Sequence, residues 1–176
     1  MIRLGIKLMS VCFIASSILT FTYKITNPRI ISQKDKEEKE ALKFIYAEAE
    51  EFKKEDNHYL AYKNKNHIGY ILKTSAQGYS GLIEMLVGFN KEGIIQGIII
   101  LEHRETPGLG AKISEVRYGE KKPWFLEQFK DKKASNLNFS TINAITGATI
   151  STRAVLEAVR NCVEEFLNSS NNQTSN

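Results

Sequence analysis

The chain has 176 residues, of which 42% are hydrophobic and 25% charged, so it can form one globular domain plus one further segment. Two cysteines and three prolines exclude a disulfide scaffold, a four-cysteine zinc site and a proline-rich linker protein. The formal net charge is +4, and three cations without any acid lie in residues 1–24. The remainder is therefore nearly neutral, and we expect no nucleic-acid partner.

Residues 8–23 carry no charge, and the run extends back to Leu4 with Lys7 as its only charged residue. About 20 apolar residues span a bilayer as a helix, so we predict an uncleaved membrane anchor over residues 1–24. Arg3 and Lys7 precede the run, which puts the N-terminus in the cytoplasm and the rest of the chain outside. A cleaved signal peptide and a lipoprotein modified at Cys12 are the alternatives; no A-x-A site follows the run.

Residues 33–52 are rich in Glu, Lys, Ala and Leu, and their apolar residues fall near helical spacing. The pattern predicts a helix with one apolar face, formed by Ala41, Leu42, Ile45, Ala49 and Phe52. We assign residues 25–55 to a helical neck between the anchor and the domain.

The period then changes to that of strands, which we predict over residues 59–63, 68–73, 82–89 and 94–101. Residues 64–67 and 90–93 are the turns, and Gly93 suits a positive φ. Together these strands predict an antiparallel sheet as the core of a single α+β domain, residues 56–168, flanked by helices.

Two short helical stretches are predicted over residues 111–117 and 124–129, and the clearest helix over residues 151–167. Ser151 or Thr152 can cap the start of that helix. The polar end of the chain from Asn168 predicts a disordered tail, residues 169–176.

Two loops hold the residues suited to chemistry. Thr146, Gly147, Ala148 and Thr149 precede the last helix, where small residues and a positive helix end favour an anion such as a phosphate. Residues 102–110 follow a buried strand and combine polar side chains with Pro107, Gly108 and Gly110. From physics alone, each segment has a second interpretation. The first can be a plain loop whose hydroxyls cap the helix, and the second can be a tight turn whose charges face water. No metal site is expected.

The order of these motifs resembles a known family. The Thr-Gly-Ala-Thr motif before a final helix, with the upstream Glu-Thr-Pro-Gly-Leu-Gly loop, is similar to the FMN-binding domain of bacterial ion-translocating redox complexes. The resemblance is strongest to the G subunits of Rnf complexes, and the C subunits of sodium-pumping NADH:quinone reductases are longer relatives. It also includes residues 78–81, the stretch from Trp124 to Phe129 and residues 151–155, and so covers nearly the whole chain.

The resemblance implies FMN attached through its phosphate to Thr149 by a separate Mg-dependent flavin transferase that uses FAD as donor. The flavin would supply the redox chemistry and the protein would position it. The implied cofactor-binding residues are Thr149, which carries the covalent FMN, Thr146, Gly147, Ala148, Ser151, Thr152, Glu105, Thr106, Gly108 and Leu109. One departure is Asn143, where the family usually has Asp six residues before the acceptor threonine.

The implied function is that of an electron-transfer subunit in a membrane complex that couples ferredoxin or NAD(H) electron transfer to Na⁺ or H⁺ transport. Its partners would be the other subunits of that complex, and its place a single-pass protein of the cytoplasmic membrane with the FMN domain outside. A stand-alone anchored FMN carrier and a flavin-free binding module of the same fold are the alternatives. An anchored hydrolase has no G-x-S-x-G motif to support it.

Overall fold

The computed structural model describes residues 2–173, and the chain divides into two compact units, residues 1–40 and 41–176. The first unit is helical throughout its described part and belongs to α1, Ile2–Ile45, which includes Pro28. Four hydroxyls of its apolar part donate to carbonyls one turn back, among them Ser17 to Phe13 at 2.8 Å and Thr20 to Ser16 at 2.8 Å. A hydroxyl bonded within its own helix needs no water, as a membrane-spanning helix requires.

By length and composition α1 is able to cross a membrane, and none of its most apolar window is buried against protein. The large apolar side chains from Ile6 to Ile31 are all at least 46% exposed. This pattern is typical of a helix whose solvent is lipid. It agrees with the predicted anchor, and the functional division at residue 24 stays a prediction.

The second unit contains a five-stranded antiparallel sheet in the order β1-β2-β3-β4-β5. The strands are β1 Glu51–Glu55, β2 His58–Lys63, β3 Asn66–Gln77, β4 Leu82–Phe89 and β5 Ile95–Glu102. Short connections join them: Asn64 and Lys65, with φ of 51° and 63°, form a two-residue hairpin turn. Gly93 has a φ of +78°, as predicted. The α+β architecture with an antiparallel sheet is confirmed.

The predicted helix over residues 33–52 is wrong in its last turns. α1 ends at Ile45, and Phe52 lies on β1, whose Glu51 pairs with Tyr62 of β2. Asp56 and Asn57 form a tight turn between these strands, with Asp56 at a φ of 31°. Strand pairing across this turn outweighs the local helical preference of the Glu- and Lys-rich sequence.

After the sheet come a 3₁₀ turn at Gly110–Ser114, helix α2 at Trp124–Glu127, a 3₁₀ turn at Ala134–Asn136 and α3 at Thr149–Gln173. The short helical stretches are thus present but shorter than predicted. Residues 169–173, expected to belong to the disordered tail, continue α3 instead. The last three tail residues, 174–176, lie outside the described part of the chain.

Helices cover both faces of the sheet. One face packs on α3 and α2 in the main core, whose members include Met85, Phe89, Phe125 and Val159. The other face packs on Ala41, Leu42, Ile45 and Tyr46. This main core, between the sheet and α3, holds the ends of the strands in place and with them the loops that follow those strands.

Glycines on two neighbouring strands make room for the end of α1 and the residue after it. A Cβ at Gly69 would collide with the Tyr46 ring, and one at Gly88 would collide with Ile45. Gly97 pairs with Gly88 and also lies against Ile45. Tyr46 is buried, its Oη has no hydrogen-bond partner among the described residues, and burial raises its pKa well above the ordinary range.

Candidate functional site

Three loops meet at one end of the domain: residues 78–81 between β3 and β4, residues 103–110 after β5, and residues 145–148 before α3. Between them lies a cavity of about 410 Å³. Cavities of a few hundred Å³ with a mainly apolar lining hold small ligands and cofactors. The cavity is lined by Tyr79, Glu105, Thr106, Leu109, Gly110, Gly147, Ala148, Thr149, Ile150 and Ser151.

The turn before α3 depends on one glycine. Gly147 has a φ of +79°, and the Ala148 N–H donates to the Ile145 carbonyl at 2.9 Å. This is the arrangement of a type II turn, which needs a positive φ at its third residue. Because Gly147 has no side chain, the backbone of the turn is open to the cavity.

Thr149 is the first residue of α3 and is exposed. Within residues 2–173 its hydroxyl makes no hydrogen bond. It also lines a second groove of about 300 Å³ with Gln77, Ile150, Arg153, Ala154 and Glu157. The first hydrogen bond of α3 runs from the Thr152 N–H to the Ala148 carbonyl, so the N–H groups before Thr152 lack a helical acceptor. These N–H groups and the helix dipole favour an anion beside Thr149.

Ser151 and Thr152 do not cap α3, because the helix begins two residues earlier than predicted. Ser151 is 1% exposed and its hydroxyl donates to Glu105 Oε2. Thr152 is fully buried, and its Oγ1 accepts the Ile145 N–H at 3.1 Å. The Thr152 hydroxyl therefore stabilises the turn from behind, while Ser151 lies in the cavity wall.

Glu105 is the one acidic residue in the cavity lining and is only 5% exposed. Its Oε1 accepts the Ser80 N–H at 3.0 Å, and its Oε2 accepts the Ser151 hydroxyl. A Cβ at Gly78 would collide with Oε1, and a Cβ at Gly110 would collide with Oε2. Thus one carboxyl group connects its own loop to the loop at residues 78–81 and to the first turn of α3, and the two glycines leave the space that it fills.

The outer wall of the cavity is apolar. Tyr79 is 71% exposed, Leu109 46% and Ile150 54%. The Leu109 Cδ2 lies 3.1 Å from where a Cβ on Gly147 would be, so this side chain closes over the turn. Large apolar side chains left in water around a cavity mark a surface that binds an apolar group.

The structure brings together most of the site residues predicted from the sequence. Seven of them line the cavity: Glu105, Thr106, Leu109, Gly147, Ala148, Thr149 and Ser151. Thr146, Gly108 and Thr152 do not line it, although they lie in or beside the same turns. Their contact with a cofactor stays a prediction.

Sequence reasoning left out three lining residues, Tyr79, Gly110 and Ile150. Tyr79 and Gly110 belong to loops that the motifs already marked. Ile150 had a signal of its own, because it is a large apolar residue outside the buried face of the last helix.

Comparison with known proteins agrees with this geometry. Residues 78–164 match the model of the FMN-binding domain family. The chain is 35% identical over 164 residues to the G subunit of the proton-translocating ferredoxin:NAD(+) oxidoreductase complex of Clostridium ljungdahlii, covering 88% of this chain and 85% of that protein. The chain belongs to the family of the G subunits of ion-translocating oxidoreductase complexes, and it contains an FMN-binding domain.

A second relative is the G subunit of the ion-translocating oxidoreductase complex of Methanosarcina acetivorans. It is 31% identical over 169 residues, which cover 86% of each chain. Among solved structures, that of NqrC from Shewanella oneidensis superposes with a TM-score of 0.52 at 16% identity, over 70% of this chain and 72% of that one. That likeness shows a shared fold.

Proposed function

We propose that this chain is the electron-transfer subunit of a membrane-bound ion-translocating oxidoreductase complex, with FMN held in the cavity and esterified through its phosphate to Thr149. The observation that carries the proposal is the exposed Thr149 hydroxyl, which has no hydrogen-bond partner in the described chain and lines the 410 Å³ cavity. Membership of the G-subunit family supports the redox role, since the relatives named above are subunits of oxidoreductase complexes.

The lining residues fit FMN by their chemistry. The free N–H groups of the first turn of α3 suit a phosphate ester on Thr149. Leu109, Ile150 and Tyr79 offer apolar surface to a flat ring, and Gly147 lets a bulky group come close to the backbone. Bound FMN supplies the redox chemistry, because its ring takes up and releases electrons.

The chain's own residues then have three tasks. Thr149 holds the cofactor by its phosphate end, so that the cofactor stays with the chain through repeated reduction and oxidation. Glu105 holds its own loop against the loop at residues 78–81 through Ser80 and against the first turn of α3 through Ser151. The apolar wall excludes water from one side of the bound group.

The acceptor threonine needs an outside catalyst. A threonine hydroxyl is a weak nucleophile at neutral pH unless a base lies next to it, and no hydrogen bond to a base reaches Thr149 within residues 2–173. We therefore propose a flavin transferase as a maturation partner. Asn143 is exposed, and its backbone N–H donates to Gln128 Oε1 at 2.8 Å. Its hydrogen bonds to the described residues use only its backbone, so its side chain is available to such an enzyme.

The experiment is the intact mass of the full chain co-expressed with a flavin transferase, together with Thr149→Val and Thr146→Val. Thr146 is the matched control, because it is an exposed threonine of the same motif that does not line the cavity. We expect wild type and Thr146→Val to gain one FMN minus one water, and Thr149→Val to gain nothing. An unmodified wild-type chain, beside a positive control substrate, would contradict covalent attachment and point to Asn143.

Membership of a complex and membrane side are tested separately. Purification of the native membrane protein should bring down multispan and iron–sulfur subunits; their absence would favour a stand-alone carrier.

Arg3 and Lys7 before the apolar run support an N-terminus in the cytoplasm and a domain outside it. Protease added to intact spheroplasts should then cleave the domain, whereas full protection would contradict this orientation.

A further inference from the structure

Apart from Tyr46, three polar or charged side chains are buried among the described residues, and Glu105 is the only ionisable one of the three. The other two, Ser151 and Thr152, lie beside it in the first turn of α3. A buried carboxyl group is costly unless it is hydrogen-bonded, so its presence in a cavity wall calls for a reason. Its role as a brace between two loops and the first turn of α3 does not by itself require a charge, because a glutamine has nearly the same shape.

Both Glu105 oxygens accept hydrogen bonds. The Ser80 backbone N–H is a donor only, and it lies 3.0 Å from Oε1. The Ser151 hydroxyl donates to Oε2. Two donors aimed at the two oxygens favour the carboxylate, because hydrogen bonds to a charged acceptor are stronger than those to a neutral one. The described structure gives it no cationic partner, since none of its salt bridges includes Glu105 and none of the residues lining the cavity is Lys, Arg or His.

We propose that Glu105 is a fixed negative charge that lowers the reduction potential of the flavin held in this cavity. This inference rests on the proposed function. Two-electron reduction of FMN with uptake of one proton adds one negative charge to the ring. A carboxylate in the same apolar, partly enclosed cavity repels that charge, and the repulsion is stronger there than in water. The reduced form is therefore destabilised relative to the oxidised form, which makes the flavin a stronger electron donor.

The loops are built to keep this charge in place. Gly78 and Gly110 flank the two oxygens, and any side chain at either position would push the carboxylate out. The Ser151 donor is on the helix that also begins with Thr149, two residues away. The charge and the proposed attachment point are thus held by one turn of helix, so their separation is fixed.

The test is a spectroelectrochemical titration of the full, FMN-loaded chain in detergent, with an electrode supplying and accepting the electrons. We expect Glu105→Gln to shift the midpoint potential to a more positive value. Glu102→Gln is the matched control, because it removes the same charge from an exposed position at the end of β5, just before the same loop, that does not line the cavity. The midpoint potential of Glu102→Gln should stay at the wild-type value, since water and salt screen the charge at this exposed position.

A second variant separates charge from bracing. Ser151→Ala keeps the carboxylate but removes one donor, so the charge is less compensated and the midpoint should shift to a more negative value. Glu105→Gln and Ser151→Ala both weaken the brace, and a merely structural role would move both midpoints in the same direction. Equal midpoints for Glu105→Gln and wild type, or a positive shift for Ser151→Ala, would overturn the inference. Should Glu105→Gln fail to fold, the Ser151→Ala midpoint decides alone.

The two proposals fail in different ways. An unloaded wild-type chain would count against the proposed function and is visible by mass and absorbance before any titration. A loaded wild-type chain whose potential is indifferent to Glu105 leaves the proposed function intact and overturns only the inference about the charge.

Discussion

The two ends of α3 differ in how the domain fills the space beside them. Near its C-terminal end, Phe166 packs among aromatic rings, with its centroid 4.8 Å from that of Tyr70 and 5.7 Å from that of Phe89. At its N-terminal end the side chains are small, and a cavity of about 410 Å³ remains. Protein interiors rarely leave such space unless a ligand uses it. The domain is stabilised at one end of the helix and left open at the other.

The largest expected effect on stability is at the filled end. Phe89 is fully buried and contacts the rings of Tyr70 and Phe166. Phe89→Ala should lower the free energy of unfolding by about 3–5 kcal/mol, because it removes a large apolar side chain and leaves a cavity. Urea unfolding followed by the fluorescence of Trp124, the single tryptophan, measures this. Phe139→Ala, at a phenylalanine that is 39% exposed, is the control and should cost much less. Similar losses of unfolding free energy for Phe89→Ala and Phe139→Ala would contradict the view that packing at this end of α3 stabilises the domain.

A smaller loss is expected in the turn at the open end. Gly147→Ala places a side chain at a φ of +79°, with its Cβ 3.1 Å from Leu109 Cδ2. The left-handed backbone costs about 1–2 kcal/mol for a residue with a side chain. The same variant should reduce the yield of FMN attachment, since the turn presents Thr149. Unchanged unfolding in urea together with normal attachment would show that the turn does not need glycine.

At the filled end, we expect the free energy of unfolding to depend on pH, by less than the effect of either substitution above. Burial lowers the pKa of His67 below its ordinary value of 6.5, and its Nε2 lies 2.9 Å from the Gly69 carbonyl oxygen. The folded state therefore binds the proton less tightly than the unfolded state. The contribution to stability is fully present above pH 6.5 and is lost as the pH falls through the lowered pKa. His67→Gln should flatten this part of the stability profile, and an unchanged slope would contradict it.

The smallest effect on stability is expected at the residue that matters most for the proposed function. Thr149 is exposed and its hydroxyl has no partner within residues 2–173. Thr149→Val should change the free energy of unfolding by less than about 0.5 kcal/mol, while abolishing FMN attachment. A large destabilisation would mean that Thr149 supports the fold, and loss of flavin could then not be assigned to the acceptor hydroxyl.

The sequence predicted the sheet well because its strands are runs of apolar residues, many of them β-branched, that end in Gly- and Asn-containing turns. β4 was predicted at its observed bounds, Leu82–Phe89. β1 was missed because its Glu- and Lys-rich residues have helical preference, and only pairing with β2 makes them a strand. The start of α3 was placed two residues late, because Ser151 and Thr152 are typical caps but bond to Glu105 and Ile145 instead.

The cavity residues show the same contrast between what local sequence determines and what only the fold determines. The motif residues were found because their order along the chain resembles that of the family. Tyr79 was missed because its role depends on segments that are far apart in sequence and meet only in the fold, and the apolar, outward-facing position of Ile150 was a signal that went unused. The buried state of Glu105 was equally out of reach, since it depends on space left by Gly78 and Gly110.

The most direct test of the central claim is to locate the flavin on the loaded chain. Trypsin should cleave after Lys133 and after Arg153 and so release residues 134–153, which contain seven hydroxyl-bearing side chains. We predict that this peptide carries one FMN minus one water, and that fragmentation assigns the added mass to Thr149. An unmodified peptide from a loaded chain, or a flavin on Thr146 or Ser151, would contradict the account.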